Sequence, residues 1–141
     1  MKKLWLLLMT LCLLTGLFAQ FVPREQPVRG IAVQMDIYRY DQSRVRHLRL
    51  TDSRQIGTVL QHLRAMESRE TVETVPLERG NNCTILVHLV NGHRHLYRLR
   101  NGCYFCRDNG PWMHISPQLG RSLTALSEEL ADANPDNVIS V

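Results

Sequence analysis

The stretch NGHRHLYRLRNGCYFCRDNGPWMH, residues 91 to 114, sets three of the chain's six histidines beside two cysteines. His93 and His95 form an H-x-H, Cys103 and Cys106 a C-x-x-C, and His114 closes the run. Two imidazoles and two thiolates are the donor set of a tetrahedral zinc site. The same C-x-x-C could carry redox chemistry if its first cysteine stood at a helix N-terminus in a βαβ unit, where the dipole lowers a thiol's pKa. It could instead close as a disulfide between Cys103 and Cys106. A Cys-His-Asp set can be drawn from Cys106, His114 and Asp108, though without a glycine-strained elbow or oxyanion donors around it. Which chemistry is open depends on the strands that carry these residues.

Asn-Gly occurs twice, at 91–92 and 101–102, each time between strand-like runs, which is the strongest short-range hairpin signal. Ahead of the first turn, Cys83, Ile85, Val87 and Leu89 form a wholly apolar face. A two-residue turn would pair Val87 with Leu96 and Leu89 with Arg94, and would aim arginines at that face. A three-residue loop, Val90-Asn91-Gly92 with Gly92 left-handed, pairs Val87 with His95, Ile85 with Tyr97 and Cys83 with Leu99. Arg94, Arg98 and Arg100 then face water. Burying one unpaired charge costs several kcal/mol, far more than turns differ among themselves, so the three-residue loop is expected. The same argument at Asn101-Gly102 places Cys103 opposite Leu99 and Phe105 opposite Tyr97, with Cys106 pointing outward.

This register separates the would-be zinc ligands. His93 and His95 lie near one rim of the inner face, Cys103 lies at the other end of its strand, and Cys106 points the other way. The C-x-x-C follows a tight turn rather than opening a helix, which argues against thioredoxin-like chemistry. Cys83 and Cys103 would flank the central strand at ~9.6 Å, beyond disulfide reach. Cys103 with Cys106 is the pair within reach, provided the chain turns there. No metal, cofactor or catalytic residue is therefore assigned, and the set His93, His95, Cys103, Cys106 stands as the alternative.

The remaining elements follow from periodicity. IAVQMDIYRY places Ile31, Val33, Met35 and Ile37 on one face of a strand with Gln34, Asp36 and Tyr38 on the other, and RVRHLRL returns as its partner. In TDSRQIGTVLQHLRAM the period changes. Asp52 and Gln55 have capping-box spacing, and Ile56, Val59, Leu60, Leu63 and Met66 make a helical stripe. Gly57 costs that helix up to ~1 kcal/mol relative to alanine, and close packing against a strand would explain it. A short edge strand is expected around Thr71 to Val75 in the charged connection that follows. Ser116 as N-cap, Pro117 at the first helical position and Leu119, Leu123, Leu126 and Leu130 define a second helix, stopped by Asn134-Pro135. The apolar residues of the tail DNVISV could dock as another edge strand.

At the other end, MKKLWLLLMTLCLLTGLFA has a positive n-region, an apolar run from Leu4 to Phe18 and a small residue at 19. It reads as an export signal, with an uncleaved anchor as the alternative. Cys12 lies inside the apolar run, so there is no lipoprotein cleavage box. Residues 20–30, with two prolines and a glycine, make a spacer. About 120 residues remain, enough for one domain of 31–133 and a tail of 134–141. No lysine follows Lys3, so the remainder carries only arginines against the chain's 13 acidic residues, a net charge of about +2. That balance does not argue for nucleic acid. Arg44, Arg46, Arg49, Arg94, Arg98 and Arg100 could share one solvent face, and such a face would attract an anionic envelope component or an acidic protein. It lacks the interleaved aromatics of a single-strand nucleic-acid platform.

The order of export signal, strand pair, polar-capped helix LTDSRQIGTVLQHL, Y-x-L-type hairpin and closing helix resembles the small secreted or lipid-anchored domains of unknown function found in Gram-positive bacteria. The resemblance covers residues 30 to 132 and carries over no functional residue. The expected architecture is α+β: an antiparallel sheet of about five strands in the order β-β-α-β-β-β-α, with both helices on one face. The expected function is that of an exported, non-catalytic binding or interaction module near the cell envelope, touching membrane only through residues 4–18 if these are not cleaved. The alternative is a metal- or thiol-dependent site within residues 93–106.

Overall fold

A computed structural model describes Lys3 and residues 30–41, 43–67, 70–75 and 82–140. The rest of the export segment, residues 20–29 of the spacer, and residues 42, 68–69, 76–81 and 141 lie outside the described set. Eight strands form one antiparallel sheet: β1 (Ala32–Asp41), β2 (Arg44–Leu50), β3 (Thr71–Val72), β4 (Asn82–Leu89), β5 (Arg94–Arg100), β6 (Tyr104–Arg107), β7 (Trp112–His114) and β8 (Val138–Ser140). Their order across the sheet is β3-β7-β6-β5-β4-β1-β2-β8. Two helices, α1 (Ser53–Met66) and α2 (Pro117–Ala133), share one core with one face of that sheet. The α+β class is as expected, but the sheet is wider than about five strands. The short strands β3, β7 and β8 extend its two edges. The edge strand expected at 71–75 is there as two residues on β7, and the tail docks on β2. β7 itself had no alternating pattern long enough to announce it.

The first Asn-Gly loop has the expected odd length. Val87 pairs with His95, Ile85 with Tyr97 and Cys83 with Leu99. Gly92 adopts φ +84°, and Gly92 N donates to Leu89 O. The second loop is displaced from expectation. Arg100 pairs with Tyr104, Leu99 with Phe105 and Arg98 with Cys106, so the loop is Asn101-Gly102-Cys103 and Cys103 is not a strand residue. Two consecutive left-handed residues, Asn101 at φ 53° and Gly102 at φ 70°, make this reversal. The inward direction of Phe105 and the outward direction of Cys106 survive, because the slip is by two residues and the side-chain period is two.

One face of the sheet is apolar. Met35, Ile37, Leu48, Leu50, Ile85, Val87, Leu99 and Phe105 meet Ile56, Val59, Leu63 and Met66 of α1 and Leu123 and Leu130 of α2. Ile31 and Val33 do not join them. A bulge between Ala32 and Gln34 inverts the alternation, so Ala32 packs on the core while Ile31 is 72% and Val33 46% exposed.

Asp52 caps α1 by accepting from Arg54 N and Gln55 N, both at 3.0 Å. Gln55 does not complete a capping box: its Oε1 accepts from Asn134 Nδ2 at 3.3 Å, tying α1 to the end of α2. Ser116 caps α2, and the Asn134 side chain closes it on Leu130 O at 2.8 Å. Gly57 is exposed and a Cβ there would touch nothing, so no strand requires it. The close approach is at Gly120, where a Cβ would collide with the Gly102 carbonyl and so wedge α2 off the β5–β6 turn.

Gly57→Ala should therefore stabilise the domain by about 0.5–1 kcal/mol in urea unfolding. Gly120→Ala should destabilise it by about 1–3 kcal/mol through overpacking. Equal effects of the two substitutions would contradict these helix placements.

Candidate binding site

The register scatters the H-x-H and C-x-x-C residues. His93 is exposed in the first loop, and its N–H donates to Asn91 Oδ1. His95 projects on the helix side of the sheet and Cys106 on the opposite side, where its thiol is buried and donates to Gly110 O at 3.2 Å. Cys103 sits in the turn, half-buried. These four do not converge, and among the described residues no group of three or more His, Cys, Asp or Glu is arranged to hold a metal ion. The expected Cys103–Cys106 disulfide is also absent. Cys83, Cys103 and Cys106 are free thiols, because β6 runs straight on from the turn and sends Cys106 to the far face. Burial pushes the Cys83 thiol up to about 12, against the nearby Arg39 guanidinium. The Cys106-His114-Asp108 set does not assemble either: His114 is exposed, edge-on to Tyr104, while Asp108 is bound to His95.

The arginines divide as well. Arg94, Arg98 and Arg100 do share the face away from the helices, but only Arg94 is exposed. Arg98 and Arg100 both stack on Trp112, each with its guanidinium carbon 5.1 Å from the ring centroid. Arg98 Nη2 donates to Asn109 Oδ1 at 3.0 Å and lies 3.6 Å from Cys106 Sγ. Those two guanidinium groups form a packed layer over β5–β7 rather than a free cationic surface. Arg44 and Arg46 are not on this face at all, because they alternate with His47 and Arg49 and share the parity of Leu48 and Leu50.

Over β1, β2 and β4 the same outer face holds a constellation that the spacing did not reveal. Asp36 is only 2% exposed, although among the described residues no helix covers it. Its Oδ1 accepts from His47 Nε2 at 2.7 Å and Arg49 Nε at 2.9 Å, and its Oδ2 accepts from His88 Nε2 at 2.8 Å and Gln34 Nε2 at 3.0 Å. An ionised carboxylate only accepts, so both imidazoles present Nε2–H to it. Burial pushes the Asp36 pKa up, but the hydrogen bonds from Arg49, His47, Gln34 and His88 outweigh it and hold the carboxyl well below the usual range. Tyr38 stacks on the His47 ring at 4.4 Å with an interplanar angle of 8°. With its lone pairs taken by donors from three strands, Asp36 fastens the sheet rather than reacting. The signal in the sequence was a lone acid facing histidines and an arginine across the strand pairs, legible only once two registers were known together.

On the helix side, a groove of about 630 Å³ runs between α1 and the ends of β1, β4 and β5. Ala32, Leu60, Val87 and Leu89 form its apolar part, while Arg64, Glu67, His95, Tyr97 and Arg107 supply a polar rim. His95 Nδ1 donates to Asp108 Oδ2 at 2.7 Å. Asp108 Oδ1 accepts from Leu96 N at 2.8 Å. Burial raises the Asp108 pKa, yet the bonds from Leu96 N and His95 and the charge of Arg107 bring it below the ordinary value. Arg107 Nη1 donates to Glu67 Oε1 at 2.8 Å, and burial pushes the Tyr97 phenol up. Among the described residues, no cysteine or serine lines the groove. No family model matches the chain, nor does any curated protein or solved structure.

The depressed Asp36 pKa gives a signed pH dependence. Its stabilisation is fully present above the unfolded-state pKa of about 3.9 and is lost as pH falls from there toward the folded value. Unfolding free energy should decline steeply between about pH 4 and pH 2 in the wild type and much less in Asp36→Asn. At pH 7, Asp36→Ala should cost about 3 kcal/mol in urea unfolding, because it strands buried donors from β2 and β4. An unchanged acid limb in Asp36→Asn would refute this role.

Proposed function

We propose that this chain is an exported, non-catalytic binding module that works near the cell envelope and takes its partner in the groove between α1 and β1, β4 and β5. The observation that carries this reading is the make-up of the groove: an apolar part beside a polar rim in which His95 is paired with Asp108 and Arg107 with Glu67. Pre-paired groups hold fixed positions, which favours recognition, since little side-chain order must be imposed on binding. Its volume falls within the range of small-ligand sites. The described thiols are elsewhere: Cys106 faces the other side, Cys103 sits in the β5–β6 turn and Cys83 is buried and held protonated. Export is supported by the positive n-region and apolar run of residues 2–18, and an envelope setting by the pattern shared with small secreted or lipid-anchored Gram-positive domains.

The test is recovery of partners from the protein's own cell envelope, using the full tagged chain and in-place crosslinking. Leu60→Arg puts a charge into the apolar part of the groove. It should lower recovery of the crosslinked component at least about tenfold, as expected when an apolar contact is replaced by an unpaired charge. Arg121→Glu, exposed on α2, should leave recovery unchanged. Equal recovery by wild type and Leu60→Arg, with both proteins folded, would remove the groove from the account.

A further inference from the structure

At the opposite ends of β1 and β4 from the groove, a second concavity of about 300 Å³ lies between the sheet and α2. Its chemistry is different, because it gathers Arg39, Arg44 and Arg46 with Asp41 and Glu128, bordered by Asn82 and Ser140. Arg39 and Arg46 are directly paired across β1 and β2, and both have the parity of the core residues Ile37 and Leu48, so their stems leave the same face side by side. Like charges at paired positions destabilise a sheet unless something anionic lies between them. Glu128 accepts from Arg39 Nη2 at 2.9 Å, and Asp41 stands opposite Arg44. Three guanidinium groups thus face two carboxylates. Among the described residues Arg46 holds no ion pair, and on its other side it is paired with Ser140.

We propose that this concavity binds a phosphate group, held by Arg39 and Arg46 with Arg44 at its mouth. Paired guanidinium forks present more N–H donors than one carboxylate can accept, and a tetrahedral oxyanion offers enough oxygens to take both. Glu128 occupies the place of the ligand in its absence. It is an exposed side chain, so its hold on Arg39 is weak and a more highly charged oxyanion displaces it. The site lies apart from the groove and stands whether or not the groove binds an envelope component.

The probe is inorganic pyrophosphate, titrated calorimetrically into the full chain in a neutral detergent. A second arm measures binding to phosphatidylglycerol vesicles against phosphatidylcholine vesicles, which tells a lipid headgroup from a soluble phosphate. Arg46→Gln should weaken binding by about tenfold or more. Glu128→Gln should tighten it by up to about fivefold, because it removes the internal competitor. Arg94→Gln, at the other end of the sheet, should leave it unchanged. This pattern with either probe supports the pocket. Failure of both probes to bind, or equal weakening by Arg46→Gln and Arg94→Gln, overturns it, the latter because it would show diffuse attraction rather than a site.

Discussion

The loop Val90-Asn91-Gly92 fixes the phase of everything that follows it. Because it has three residues, His95, Tyr97 and Leu99 turn toward the helices while Arg94, Leu96 and Arg98 turn away. A slip of one residue would invert both sets and bury guanidinium groups against Val87 and Ile85, at a cost larger than any difference between turn types. Gly92 permits the left-handed backbone the loop needs, and Leu89 N donates to His93 O at 2.9 Å to close it. From this one choice come a groove lined by His95 and Tyr97 on one side and an arginine layer beneath Trp112 on the other.

Among the described residues both helices lie on one face of the sheet, so its other face is finished some other way. Here the finish is polar and locally saturated. Asp36 draws donors from β1, β2 and β4 over itself, and Trp112 lies across Arg98 and Arg100. The result is a buried carboxylate on a face that alternation alone marks as wet. The energetic sense is that a buried charge is tolerated when all its lone pairs are engaged, and removing any one partner leaves the others exposed to the desolvation cost.

Much of this was readable from residue order. Capping at Asp52 and Ser116, the two apolar helical stripes, the first hairpin register and the outward direction of Cys106 all rest on local rules, and local rules act within a few residues. What escaped depended on pairs of strands distant in sequence. The Asp36 cluster needs β1 aligned simultaneously with β2 and with β4, and Asp36 and His88 are separated by 52 positions. The bulge that turns Val33 outward depends on where β4 ends, and the shift of the second hairpin depends on left-handed Asn101, a conformation asparagine tolerates without advertising it. Gly57 and Gly120 show the limit in miniature: both interrupt helical runs, and only three-dimensional neighbours reveal which one is needed.

Two concavities lie at opposite ends of β1 and β4, one part apolar and one basic. Both depend on side chains projecting to the helix side, and for the groove that projection is set by the first hairpin. The direct measurement is nuclear magnetic resonance of interstrand contacts in the folded chain. Val87 should show direct cross-strand contacts to His95 and Ile85 to Tyr97, as paired residues do. Contacts pairing Val87 with Leu96 and Leu89 with Arg94 would mean an even-numbered loop, and with it the groove's His95 and Tyr97 rim would be on the wrong face.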